Sequence, residues 1–124
     1  MIKRTVAERV VLMDSISYVD AGDAGLIVVS ASHGGASSAE YASRHGLAAV
    51  FFNDAGIGKD DAGIAALAML EIPAGTISHL SARIGDAEDT WRHGLLSNVN
   101  TAAAARGLRV GESLQQAVKK LLSA

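Results

Sequence analysis

Histidines stand at positions 33, 45, 79 and 93, and two of them sit among other groups able to move protons or hold an anion. His33 lies in Ser30-Ala31-Ser32-His33-Gly34-Gly35-Ala36-Ser37-Ser38, and His79 in His79-Leu80-Ser81-Ala82-Arg83-Ile84-Gly85-Asp86. Between them runs Asn53-Asp54-Ala55-Gly56-Ile57-Gly58-Lys59-Asp60. An imidazole titrates near neutrality and suits general acid–base work. His33 and Asp54 are therefore candidate catalytic groups. His79 is a third, paired with His33 or Asp54; its plainer reading is a core histidine with satisfied hydrogen bonds. Arg83 offers a planar fork to a carboxylate or phosphate, unless Asp86 or Asp54 takes it as an ion pair. Gly34 and Gly35 let the backbone come close to a ligand. The amides of a helix starting just after them favour an anion. Ser32, Gly34, Gly35, Ser37, Asn53, Gly56, Ser81, Arg83 and Asp86 make up the candidate substrate-binding set. Lys59 reads as a solvated residue beside an aspartate-rich helix cap.

Several familiar chemistries lack their signatures. The stretch from Asn53 to Asp60 has the glycine and lysine of a phosphate-binding loop at Gly58-Lys59. It fails at Asn53, where glycine is required, and at Asp60, where a hydroxyl should hold magnesium and a carboxylate instead repels phosphate. No G-x-S-x-G elbow marks a serine hydrolase. No G-x-G-x-x-G marks a dinucleotide site. His33, Asp54, His79 and Asp86 are possible ligands, but without local metal-site spacing such as H-E-x-x-H. The expectation is a site with neither metal nor organic cofactor. Two functions fit it: a hydrolase-, lyase- or isomerase-type enzyme acting on a small anionic molecule, or a non-catalytic ligand-binding, regulatory or assembly module.

These residues need elements that bring them together. Leu26-Ile27-Val28-Val29 is a continuous branched apolar run, as in a strand buried on both faces of a parallel sheet. It predicts a strand over 26–31, then a helix from Gly34 to His45 stopped by Gly46. Leu47 to Phe52 predicts the next strand, Ala62 to Glu71 an apolar helix, and Ala74 to Ser78 a short strand. Asp86 to His93 and Leu95 to Arg106 read as helical, and Gly111 to Leu122 as an amphipathic closing helix with Leu114, Val118, Leu121 and Leu122 inward. At the start, Val6 to Met13 reads as one strand and Ser15 to Val19 as a half-exposed one. The span from Asp14 to Gly25 is short for a helical crossover, and a parallel connection usually needs a dozen or more residues, commonly with a helix. The first strand is thus antiparallel or part of an edge hairpin. The alternation of strand, polar loop and helix predicts a single α/β domain over 1–124, three-layered, with a mostly parallel Rossmann-like or flavodoxin-like sheet. The polar loops would then meet beyond the strand C-termini, where such sheets bind ligands.

The 124 residues are 49% hydrophobic and 19% charged, with net charge −2. The pI is about 6.0 and the mean hydropathy +0.25. No basic stripe suits a nucleic-acid backbone. No apolar run approaches the ~20 residues of a membrane span. Cysteine is absent, which excludes disulfides and thiolate chemistry. The basic N-terminus lacks a following apolar signal region, so a cytoplasmic location is expected. Such an apolar composition predicts a homo-oligomer that covers part of its surface.

Overall fold

The structure, a computed structural model, describes residues 2–34, 36–55 and 67–123. The apolar runs form the centre of one six-stranded mixed sheet. Its strands are β1 (Lys3–Ala7), β2 (Val10–Met13), β3 (Ile27–His33), β4 (Ala49–Asn53), β5 (Ala74–Ile77) and β6 (Leu96–Val99), in that spatial order. The four inner strands β2 to β5 are mutually parallel, while β1 and β6 run antiparallel on the two edges.

Alternate residues of the inner strands enter different cores, as a period of two requires. Val10, Leu12, Val29, Phe51 and Ile77 pack on one face with residues of α2 (Ala87–His93), α3 (Thr101–Ala105) and α4 (Leu114–Leu122). Val11, Met13, Val28, Val50 and Phe52 pack on the other, against Ile16, Val19, Leu47, Leu67, Leu70 and Ala42 of α1 (Ala36–Ser43). All three connections between parallel strands contribute to this second face. Sequential strand order gives that result when every crossover has the same hand. Phe51 and Phe52, on opposite faces, are almost wholly buried, and each burial stabilises the domain by about 1.5–3 kcal/mol. Helix starts are set by side-chain caps: Asp86, Asn100 and Ser113 accept from the amides of Asp89, Ala103 and Gln116.

The structure departs from the sequence reading at several points. A Rossmann- or flavodoxin-like sheet reverses its strand order at a switch point. The described sheet does not, and both its edges are antiparallel. The single strand expected over Val6–Met13 is a hairpin, broken at Glu8-Arg9, with Arg9 at φ 66. The short span after Met13 does make a parallel crossover. It does so through two 3₁₀ turns, Ile16–Tyr18 and Ala21–Asp23, where a strand was expected over Ser15–Val19. Each 3₁₀ residue rises about 2.0 Å, so a dozen residues suffice to return along a strand only about 13 Å long. Leu95–Arg106 is not one helix but β6 followed by α3. Ser97, Asn98 and Val99 are indifferent helix formers, and pairing with β5 decides their state. Of the apolar helix expected over Ala62–Glu71, residues 62–66 lie outside the described residues. Its end buries Leu67 and Leu70 but exposes Met69. Leu122, expected inward, is partly exposed on α4.

Candidate functional site

Because β2 to β5 are parallel, their C-terminal ends share one edge of the sheet. His33 ends β3 opposite Asn53 of β4, and Asn53 lies opposite Ile77 of β5. Residues 33, 54 and 79, far apart in the chain, therefore leave the sheet side by side. Three residues of β3 separate Val29 from His33, where β4 has only Phe52 between their partners. Such a bulge re-aims the strand end.

Asp54 and His79 form a close polar contact on this rim. The Asp54 amide donates to the Ile77 carbonyl at 2.8 Å, which fixes the backbone where β4 leaves the sheet. Its Oδ1 then accepts twice from His79, from the backbone amide at 2.8 Å and from ring Nδ1 at 2.6 Å. The Asp54 side chain is 17% exposed and that of His79 55%. Burial pushes the Asp54 carboxyl upward. The His79 ring and amide, with the Ser97 hydroxyl as a further donor, outweigh it and hold the group below the ordinary carboxylate value. An ionised carboxylate only accepts hydrogen bonds, so the proton of this contact sits on Nδ1 of His79. In a neutral ring, Nε2 is then left with a lone pair. The arrangement is that of a carboxylate-oriented imidazole base.

The other expected site residues divide into groups. Asn53 is fully buried: Nδ2 donates to the Ala82 carbonyl at 3.2 Å and Oδ1 accepts from the Ala55 amide at 2.8 Å. It thereby ties the exit of β4 to the turn that follows His79. Ser81 serves the same turn, donating to the Ser78 carbonyl at 2.7 Å and accepting from the Leu95 amide at 3.0 Å. Ser32 Oγ lies 2.6 Å from Ser30 Oγ and accepts from the Ile16 amide at 3.1 Å. Asp86 caps α2. Gly34 has a packing reason: a Cβ there would stand 3.3 Å from Cβ of Phe52. Asp14 also faces inward, with its two oxygens on the amides of Ile2 (2.6 Å) and Ala87 (2.9 Å).

Arg83 and His33 stay open. The Arg83 amide donates to Asp89 at 2.8 Å, but its guanidinium is exposed and pairs with neither Asp86 nor Asp54 among the described residues. His33 is exposed, and its carbonyl accepts from Ser38 Oγ at 2.7 Å. Gly35, Gly56 and the side chain of Ser37 lie outside the described residues, as do Gly58, Lys59 and Asp60. Among the described residues, no three of His, Asp and Glu gather closely enough to hold a metal ion. None of the described helices is long and apolar enough to cross a membrane.

Sequence reasoning missed Ser97, Thr76 and Asn98. Thr76 is fully buried, with Oγ1 2.8 Å from Ser97 Oγ and 3.0 Å from Nδ2 of Asn98. The signal was the run Ser97-Asn98 opposite Thr76, which becomes visible only once 96–99 is a strand. Comparison with protein-family models, with curated proteins and with solved structures finds no match to this chain.

Proposed function

We propose that this protein is a small-molecule enzyme of the hydrolase, lyase or isomerase type, in which His79, oriented by Asp54, acts as general base and acid on an anionic substrate. The observation that carries this reading is the 2.6 Å contact between His79 Nδ1 and Asp54 Oδ1 at the shared edge of the parallel strands. It leaves Nε2 of a half-exposed ring to take a proton from a substrate and return it later in the cycle. Arg83, with no ion-pair partner among the described residues, is the anion-binding group in this reading. His33, at the end of β3, is the second acid–base candidate, and Gly34 follows it where the chain leaves the sheet.

A thermal-shift screen with inorganic phosphate, sulfate and small carboxylates tests the pocket, followed by assay of each hit for product. The expected result is a stabilising anion whose effect disappears in Arg83→Ala, and product formation that disappears in His79→Gln. Product formation that survives both His79→Gln and Asp54→Asn overturns the catalytic assignment. The same rim carries exposed Leu80 (88%) and Leu95 (44%), which favours a second reading as a docking or assembly module. Anion binding without product, with larger particles in size-exclusion chromatography, supports that reading.

A further inference from the structure

The edge of the sheet opposite the His79 rim carries a chemically different cavity. Strands β2, β3 and β4 begin at that edge, and about 170 Å³ of space opens between their starts and the last turn of α4. The floor is apolar: Ile27, Ala49 and Leu121 are buried, and Ala48 is half-buried. The walls include two exposed arginines, Arg9 and Arg106. The Arg9 carbonyl accepts from the Ile27 amide at 2.8 Å, which ties the β1–β2 turn to the start of β3. Arg106 ends α3, and its Nη2 donates to the Leu121 carbonyl at 2.9 Å. A guanidinium has five N–H donors, so most of those on Arg106 remain. Among the described residues neither guanidinium pairs with a carboxylate, that of the adjacent Glu8 included. Two like charges on one small cavity repel, and an anion between them reverses the sign of that interaction. Arg9 also stands at φ 66, a left-handed conformation that glycine adopts at less cost. What arginine adds over glycine at this turn is a cation at the cavity.

We propose that this cavity binds a short aliphatic monocarboxylate, its carboxylate shared by Arg9 and Arg106 and its alkyl chain lying on Ile27, Ala49 and Leu121. Each carboxylate oxygen accepts more than one hydrogen bond, so a single group serves both forks. The apolar floor favours an alkyl body over inorganic sulfate or phosphate, which have no apolar surface to bury there. At roughly 30 Å³ for each water of the liquid, the volume suits about six atoms, hence an acid of about four to six carbons. The site lies at the other end of the strands from Asp54 and His79 and does not depend on their chemistry.

The experiment is an amide NMR titration of the full chain with sodium butanoate, sodium pentanoate and neutral pentanol. It is run in an Arg83→Ala background, to remove the arginine of the rim. Pentanoate should shift the amide signals of Ile27, Ala48, Ala49 and Arg106. It should bind roughly fourfold more tightly than butanoate, the effect of one buried methylene, and about tenfold more tightly than pentanol, which lacks the charge. Arg9→Gly should melt at an unchanged or higher temperature, because glycine suits the turn, yet bind pentanoate about tenfold more weakly. Arg106→Gln keeps a donor for the Leu121 carbonyl but loses the charge, and it should weaken pentanoate in the same way. Pentanoate affinity unchanged in both variants, shifts confined to the rim, or pentanol binding as tightly as pentanoate would each overturn the proposal.

Discussion

Asp14 and Asp54 look alike in the sequence. Each follows a buried strand directly, β2 in one case and β4 in the other, and the two strands point the same way. In the structure they do different work. Asp14 places one oxygen on the Ile2 amide and the other on the Ala87 amide, joining the N-terminal segment and the start of α2 to the end of β2. Both partners are backbone groups that do not titrate. Asp54 places Oδ1 on the amide and ring of His79, a side chain that can carry a proton and is half-exposed. A strand-end carboxylate is thus structural or chemical according to what donates to it, and a short sequence window does not contain that information.

The comparison breaks most readily at the level of rate. Asp54→Asn removes the charge that orients the His79 ring, and general acid–base groups contribute about 10²- to 10⁴-fold to rate. We expect turnover of a substrate found by the anion screen to fall in that range, with the urea midpoint nearly unchanged. Asp14→Ala should do the reverse. It leaves two part-buried amides without their charged acceptor, a loss of about 2–3 kcal/mol. A lower urea midpoint at constant slope would show it, and turnover per folded molecule should persist. Equal effects of the two substitutions on both measurements would erase the distinction. Arg83→Ala sharpens it further: the exposed guanidinium makes no ion pair among the described residues, so stability should stay within about 0.5 kcal/mol. Calorimetry should nevertheless show about a tenfold weaker affinity for the stabilising anion, equivalent to about 1.4 kcal/mol.

Apolar runs specified the parallel centre of the sheet, because a strand buried on both faces has no need of alternation. Val10 to Met13, Ile27 to Ala31 and Ala49 to Phe52 all lie there. The polar residues just beyond them marked the rim, and Asp54 and His79 meet on it. What the sequence did not disclose was decided by pairing between distant segments. Leu96 to Val99 is a strand because β5 lies beside it, and reading it as helix concealed Ser97. Asn53 looked like a binding residue, yet its amide is enclosed by the turn at Ala82, 29 positions away. The turn at Glu8-Arg9 escaped notice because neither residue is glycine, although Arg9 adopts a backbone conformation that favours one. The crossover after β2 is short for a helix, and two 3₁₀ turns cover the distance in fewer residues.

The smallest expected effect concerns acid stability at Asp54. Hydrogen bonds from His79 and Ser97 hold the Asp54 carboxyl below its ordinary value despite the upward push of burial. A group whose pKa is depressed by folding binds fewer protons in the native state than in the unfolded chain. Its stabilising contribution is therefore fully present above the unfolded value of about 3.9 and is lost as the pH falls through the folded one. Unfolding midpoints of the wild type and Asp54→Asn should thus differ slightly at pH 7 and converge as the pH drops below about 4. Ser97→Ala should narrow the gap already at pH 7, because the native carboxyl then titrates nearer its unfolded value. Urea titrations of the three proteins across that acid range measure the convergence. A gap between wild type and Asp54→Asn that widens on acidification would mean the carboxylate is held above its ordinary value, and Asp54 would then be a proton donor at rest, not the acceptor that orients His79.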